Sequence, residues 1–421
     1  MRREDAVTLN TSSWIDRALL NVVRRTLGAA PISLALHQSE NCPPGVTSPI
    51  GCLRIADRSI LGALVMNPEV VFGDAYSDGK IKIEGDLVRI LECIYQSSPG
   101  VRNWYWRLMS KWLAWVQANT PYGSSKNIHH HYDLPTDFYK LWLDQQLVYT
   151  CAYFPNQDTS LEEAQEAKLD LVCRKLWLRP GETVVEAGCG WGALALHMAK
   201  HYGVHVKAFN ISHEQIRVAR ELAKAAGLSS RVEFLEDDYR NITGRYDAFV
   251  SVGMLEHVGQ EHYHELGRMI HRVIGDEGRG LLHFIGRNRR QPFSVWIRKR
   301  IFPGAYAPTL RDTMDVFEPH RFRVVDVENL RLHYARTIED WLNRFECAFD
   351  TVVHRYGMDF ARMWQLYLAG SIAAFRVGTL QLFQIVFTGT RCQSTPWTRS
   401  YLYTSAGRAK ANDELWTSAM F

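Results

Sequence analysis

The chain has 421 residues, 46% of them hydrophobic, with 49 Lys and Arg against 45 Asp and Glu for a net charge of +4. That length exceeds one small core and predicts a main domain with an accessory one, and the near-balanced charge excludes a strong polyelectrolyte partner. The longest apolar region, 368–387, is broken by Arg376, Gln381 and Gln384, so it falls short of the roughly 20 predominantly apolar residues of a membrane span.

Residues 1–117 form a mixed zone, with short elements around Leu53 to Leu91 and an aromatic-rich helix candidate, Trp104 to Trp115. The start, Met1-Arg2-Arg3-Glu4-Asp5, leads into an amphipathic stretch without a continuous apolar run, so no secretory signal is expected. A turn-forming cluster, Thr120 to Lys126, sits in the linker, 118–127. From 128 to 391 strands and helices alternate, which predicts an α/β domain with a mostly parallel sheet of about seven strands and helices on both faces. The strands are expected at 183–187, 205–210, 231–236, 246–252, 279–285, 323–328 and 382–388, and helices at 162–177, 193–202, 212–226 and 261–274. Residues 392–421 lack a clear period and are read as a tail. The eight cysteines, at 42, 52, 93, 151, 173, 189, 347 and 392, show no metal-ligand spacing, so no metal is expected and reduced thiols in a cytosolic enzyme are the simpler reading.

The most informative stretch is Glu186-Ala187-Gly188-Cys189-Gly190-Trp191-Gly192, on a strand-to-helix turn. Glycines at alternate positions permit positive φ and leave no Cβ against a ligand. An open α/β sheet binds ligands at the carboxyl ends of its strands, where this turn would lie. The spacing has neither the Lys-Ser/Thr of a nucleotide-triphosphate loop nor the G-x-G-x-x-G of a dinucleotide site. It resembles motif I of the S-adenosylmethionine-dependent methyltransferases. Three further clusters suit such a cofactor. Asn210, Ser212 and Gln215 end the second strand, and Asn210 and Ser212 are equally good helix caps. Asp238 and Tyr239 end the third, where a carboxylate could accept from the adenine amino group and a ring could stack; an exposed acidic turn is the alternative. After the fourth strand, Glu256-His257 stands in an apolar frame that penalises an unpaired carboxylate.

Together these motifs resemble the cyclopropane-fatty-acyl-phospholipid synthase family, which includes the mycolic acid cyclopropane synthases. The likeness runs over 128–390, through His131-Tyr132-Asp133, Tyr149 to Phe154, Glu163-Ala164-Gln165 with Lys168, the glycine turn, Glu256 to Gly259, His283 to Gly286, Ile301 to Gly304, His333-Tyr334 and Gln381 to Gln384. Asn67-Pro68-Glu69 and Gly73 to Gly79 resemble the accessory amino-terminal domain of the longer members. The resemblance implies a Rossmann-like class I methyltransferase fold and S-adenosylmethionine as cofactor, at Tyr149, Thr150, Glu186, Gly188, Gly190, Gly192, Asn210, Ser212, Gln215, Asp238 and Tyr239. It implies methyl transfer to a cis double bond of an unsaturated phospholipid acyl chain, followed by ring closure. It also implies a bicarbonate base held by Cys151, Glu256, His283 and Tyr334, with Ile285 at the backbone contact. Taken singly, Cys151 reads equally as an inert buried thiol, His283 as a core histidine and Tyr334 as packing. A methyl- or methylene-branched product, or C-methylation of a natural product, would use the same fold.

The aromatic set Tyr149, Tyr153, Phe154 and Phe284 would line a cation pocket or simply pack a core. The stretch 162–177 suits a lid helix. Arg287, Arg289, Arg290, Arg298, Lys299 and Arg300 interleave with Phe293, Trp296, Ile297, Ile301 and Phe302. That mixture suits peripheral contact with an anionic membrane surface, though a salt-bridged soluble helix would look similar. No recognised nucleic-acid motif is present. The setting implied is cytoplasmic, transiently at the inner membrane face, and a homodimer is the family-level expectation. The chain departs from the family pattern in three places: Leu134-Pro135-Thr136 after His131-Tyr132-Asp133, Asn210 where Thr is common, and Ala187 before the glycines.

Overall fold

The computed structural model describes residues 13–36, 49–97, 134–291 and 293–403. The amino-terminal module begins with the helix Trp14–Leu27, whose start is fixed by a capping box: Ser13 accepts from the Ile15 amide while Asp16 accepts from the Ser13 amide. Strands β1 (Ile32–Leu36), β2 (Gly51–Ile55) and β3 (Ile81–Gly85) form a sheet in that order, β1 parallel and β3 antiparallel to β2. Helices Arg58–Met66, Pro68–Ser77 and Leu87–Ser97 complete it, with Asp57 and Asn67 as caps and Pro68 at the first helical position. Its core gathers Ile32, Leu34, Leu53, Ile55, Leu61, Ile81 and Ile90. The helix expected at 104–115, the linker 118–127 and His131-Tyr132-Asp133 lie outside the described residues.

The larger domain holds seven strands: β4 (Thr183–Ala187), β5 (His205–Asn210), β6 (Val232–Glu236), β7 (Ala248–Val252), β8 (Arg279–Gly286), β9 (Arg323–Asn329) and β10 (Gln381–Thr388). Their order is β6-β5-β4-β7-β8-β10-β9. Pairing is parallel from β6 to β8, while β10 runs antiparallel to both β8 and β9. The order reverses at β4, which makes its carboxyl end the switch point where such sheets bind ligands. One face of the sheet presents Val184, Val206, Val250, Leu281 and Val386 to helices Leu161–Lys175, Ala193–Tyr202 and His213–Ala225. The other presents Val185, Phe249, Phe284 and Ile385 to helices Tyr263–Ile274 and Leu310–Phe317. β8 and β10, buried on both faces, read as largely apolar runs, whereas the edge strand β9 is mostly exposed.

A third layer was not anticipated. Helices Arg331–Cys347, Phe349–Tyr356 and Met358–Val377 pack an aromatic core of Phe138, Trp142, Trp341 and Trp364. The apolar region at 368–387 is two elements, divided where Gly378 adopts a left-handed φ of 81° between helix and β10. Among the described residues no helix is long and apolar enough to cross a membrane. Cys52 is disulfide-bonded, contrary to the expectation of reduced thiols, whereas Cys93, Cys151, Cys173, Cys189, Cys347 and Cys392 are free. The part of the expected tail that is described folds back: Cys392 and Leu402 are buried, and Arg174 donates to the Leu402 carbonyl at 2.5 Å.

The basic segment 287–302 is also used differently. Helix Val295–Arg300 packs on Pro68–Ser77, with Trp296 and Ile301 buried. Trp296 Nε1 donates to Asp74 at 3.1 Å, and Arg300 grips the same carboxylate at 2.9 and 2.8 Å. Trp296 and Ile301 are thus turned into the protein, and the helix ties the two sheets' modules together, while Arg289, Arg290, Lys299 and Arg300 stay exposed.

Candidate active site

The three glycines of the turn after β4 do three different jobs. All have positive φ, at 83°, 54° and 87° for Gly188, Gly190 and Gly192. A Cβ on Gly192 would meet the Phe234 ring at 2.5 Å, so that glycine lets helix Ala193–Tyr202 close on β6. A Cβ on Gly188 would press on Met254 at 3.1 Å. At Gly190 nothing lies within 4 Å, so the backbone there faces open space. The turn is tied to the next strand by amides of Gly188 and Cys189 donating to the Phe209 carbonyl at 2.8 and 3.1 Å. Asn210 reaches across it, donating to the Gly190 carbonyl at 3.4 Å and to Gln215 at 2.7 Å. Ser212 caps helix His213–Ala225.

A cavity of about 970 Å³ opens on this turn, at the upper end of the roughly 300–1,000 Å³ of small-ligand sites. Tyr149, Thr150, Glu186, Gly188, Gly190, Asn210, Gln215, Glu256, Ile285 and Tyr334 all line it. Gly192, Ser212, Cys151, His283, Asp238 and Tyr239 are not among the residues that line it. Asp238 caps a short turn by accepting from the Arg240 amide at 2.9 Å, and Tyr239 is buried under the Arg240 guanidinium, 5.2 Å from its ring. Of the expected aromatic pocket only Tyr149 borders the cavity. Phe284 points to the opposite face of β8 from Ile285 and packs on Phe383, while Tyr153 stacks on His333.

Glu256 stands on the short helix Leu255–Val258 and turns one oxygen to the Ile285 amide at 2.6 Å. Burial lifts its carboxyl to about 7, against the opposing pull of that amide. Its second oxygen, Oε2, is buried with no partner among the described residues, and so is Nε2 of His283. His283 shares a face of β8 with Ile285, two residues on. Its tautomer is fixed from behind. Lys175 donates to Gln384 Oε1 at 2.7 Å, which leaves the amide nitrogen to donate to His283 Nδ1 at 2.9 Å. With Nδ1 accepting, Nε2 carries the hydrogen, and burial holds the ring neutral by pushing its pKa well below the usual value. Cys151 is fully buried, donates to the Ala152 carbonyl at 3.1 Å and is kept a thiol by burial. It approaches the Leu330 carbonyl that also accepts from the Tyr334 amide, so those two meet at the start of helix Arg331–Cys347.

The sequence reading assigned no role to Gln384 or Lys168. Lys168 is buried, donates to Thr150 Oγ1 at 2.9 Å and is lowered to about 8 by burial, against the pull of Cys151, Asp144 and Glu186. Glu186 is raised to about 8 by burial, opposed by Lys168 and the Ala195 amide. Gln165, on the same helix face, donates to the Val148 and Thr150 carbonyls at 3.2 and 2.8 Å. The helix expected as a lid is thus the fixed wall that sets 148–150. Its signal was present: Gln165 and Lys168 fall among Leu161, Ala164, Leu169 and Val172 on the buried face, where polar side chains need partners.

Known proteins resemble this chain over much of its length. A family model described as mycolic acid cyclopropane synthetase matches residues 120–385. The chain is 39% identical over 283 residues to the cyclopropane-fatty-acyl-phospholipid synthase of Escherichia coli strain K12, covering 67% of this chain and 70% of that protein. It is 32% identical over 384 residues to a probable fatty acid methyltransferase of Pseudomonas putida, covering 89% of this chain and 96% of that one. Among solved structures, mycolic acid cyclopropane synthase CmaA1 complexed with SAH and CTAB superposes with a TM-score of 0.59 at 30% identity, covering 62% of this chain and 97% of that one.

Proposed function

The chain belongs to the mycolic acid cyclopropane synthetase family, and from that premise we propose that it transfers the methyl carbon of S-adenosylmethionine to a cis double bond of an unsaturated phospholipid acyl chain and closes a cyclopropane. The observation carrying this reading is that one cavity joins the glycine turn to Glu256 and continues between Leu34, Leu53, Ile55 and Leu64 of the amino-terminal module. Such a space has a polar end for a cofactor and an apolar end for a chain.

The residues fit both small molecules the chemistry needs. For S-adenosylmethionine there is open space at Gly190, a buried Glu186 oxygen with no partner among the described residues, and the polar pair Asn210 and Gln215. Bound there, it supplies an electrophilic methyl group. For bicarbonate there are two buried atoms without partners among the described residues, Glu256 Oε2 and His283 Nε2, with Glu256 and Tyr334 on the cavity wall and Cys151 off it; bound there, it supplies a base. With its pKa near 7, Glu256 shares a proton at Oε2, His283 donates from Nε2, and the Ile285 amide orients Glu256. Tyr149, Phe302, Tyr306 and Tyr367 line the same cavity, and an aromatic face lowers the energy of a nearby cation by roughly 0.5–2 kcal/mol. The net change is one CH₂ added across the alkene, with one proton released. We take the enzyme to be cytoplasmic, meeting its substrate at the inner membrane face.

A second reading is favoured by the Pseudomonas relative: transfer that leaves a methyl or methylene branch. Mass spectrometry of fatty-acid methyl esters from bacteria expressing the chain decides between them. A gain of CH₂ with the double bond lost, and a ring by NMR, is the expected result. The same gain without a ring selects the branched product. No change, from protein that binds S-adenosylmethionine, overturns both and points to C-methylation of a natural product.

A further inference from the structure

We propose that the outer face of helix Trp14–Leu27 is the surface with which this protein docks on an anionic lipid bilayer; this rests on the reading that its substrate is a lipid acyl chain. At 100° per residue, Asp16, Leu19, Leu20, Val23 and Leu27 share one side of this helix, and Asp16 and Val23 there are buried. The opposite side carries Trp14, Ala18, Asn21, Val22 and Arg25, with Arg17 and Arg24 along its flank. All seven are exposed, Trp14 by 74% and Val22 by 41%. A solvated helix face is normally polar, so a tryptophan and a valine standing outward are unexplained by the fold.

Charge completes the pattern. Asp16, the one acidic residue of the helix, is turned inward and accepts from Arg58 at 2.5 and 2.9 Å. The outer face therefore shows three arginines and no carboxylate, around a tryptophan suited to the interfacial region of a membrane. The same helix also borders the cavity, since Val23, Thr26 and Leu27 on its inner side line it alongside Leu34, Leu53 and Ile55. One helix thus separates a basic, apolar outer surface from the apolar end of the substrate space. Segment 287–302, whose composition suggested this task, spends Trp296, Arg300 and Ile301 on the contact with Pro68–Ser77.

The test uses the full chain and two variants, Trp14→Ser with Val22→Ser, and Arg17→Gln with Arg24→Gln and Arg25→Gln. Flotation is measured with phosphatidylglycerol-containing vesicles and with phosphatidylcholine vesicles. A near-surface cation contributes about 1 kcal/mol, roughly fivefold in affinity, so the triple variant should bind anionic vesicles about a hundredfold more weakly. Methyl transfer to vesicle lipid should fall in parallel, while transfer to a detergent-dispersed unsaturated phospholipid and cofactor affinity stay unchanged. Equal flotation of parent and variants overturns the proposal. Equal loss on dispersed substrate also overturns it, because the helix would then serve the fold or the site. A parent that floats with anionic vesicles but methylates no lipid supports docking and refutes the acyl substrate, so the two failures are distinguishable.

Discussion

Replacing Glu256 by Gln separates what this carboxyl does for stability from what it does for chemistry. An unfolded glutamate titrates near 4.5, whereas burial lifts folded Glu256 to about 7. A raised carboxyl pKa means that the folded state holds the proton more tightly. Its stabilising contribution is full below pH 4.5 and is lost as pH rises through about 7. At 1.36 kcal/mol per pH unit, the ionised group lowers stability at pH 8.5 by on the order of 3 kcal/mol relative to pH 4.5. Gln keeps an oxygen for the Ile285 amide and cannot ionise. The variant should match the parent near pH 5 and exceed it by up to about 3 kcal/mol at pH 8.5, while turnover falls at least a hundredfold. Urea unfolding at both pH values, in carbonate-free buffer, reads the first effect. A stability difference that does not grow with pH would refute the burial argument, and turnover within twofold of the parent would refute the catalytic one.

The glycines should respond separately. Gly190→Ala places a methyl in open space, so it should weaken S-adenosylmethionine binding tenfold or more by calorimetry at a stability loss near 1–2 kcal/mol from the positive φ. Gly192→Ala drives a methyl into Phe234 and should lose more stability than Gly190→Ala; the reverse order would undo the assignment. Lys168→Met leaves the Thr150 hydroxyl without its donor and should lower stability by about 1–3 kcal/mol in urea unfolding; an unchanged stability would show that this contact does not hold 148–150. Trp296→Ala removes the buried indole from the contact with Pro68–Ser77, so limited proteolysis should cut between the modules sooner, and an unchanged pattern would mean the other contacts suffice.

The sequence by itself determined the sheet and the turn. Strands such as 183–187 and 248–252 are buried on both faces, so they are mostly apolar, and the alternate glycines are demanded by backbone angles that other residues avoid. Glu256 was legible for a related reason, since a carboxylate in an apolar frame calls for a partner. Only the tertiary structure decided which partners those were. That Ile285 gives its amide to Glu256, that Lys175 and Gln384 set the tautomer of His283, and that Lys168 sits under Thr150 are contacts between residues far apart in the chain. Composition could not tell that Trp296 and Ile301 turn inward, because a basic, aromatic helix suits a buried interface or a bilayer alike. Nor could it tell that Asp238 caps a turn through the Arg240 amide and that Tyr239 packs under the Arg240 guanidinium, since such contacts are set by the assembled chain. Burial and direction are properties of the assembled chain, which is why these contacts were not legible in the sequence.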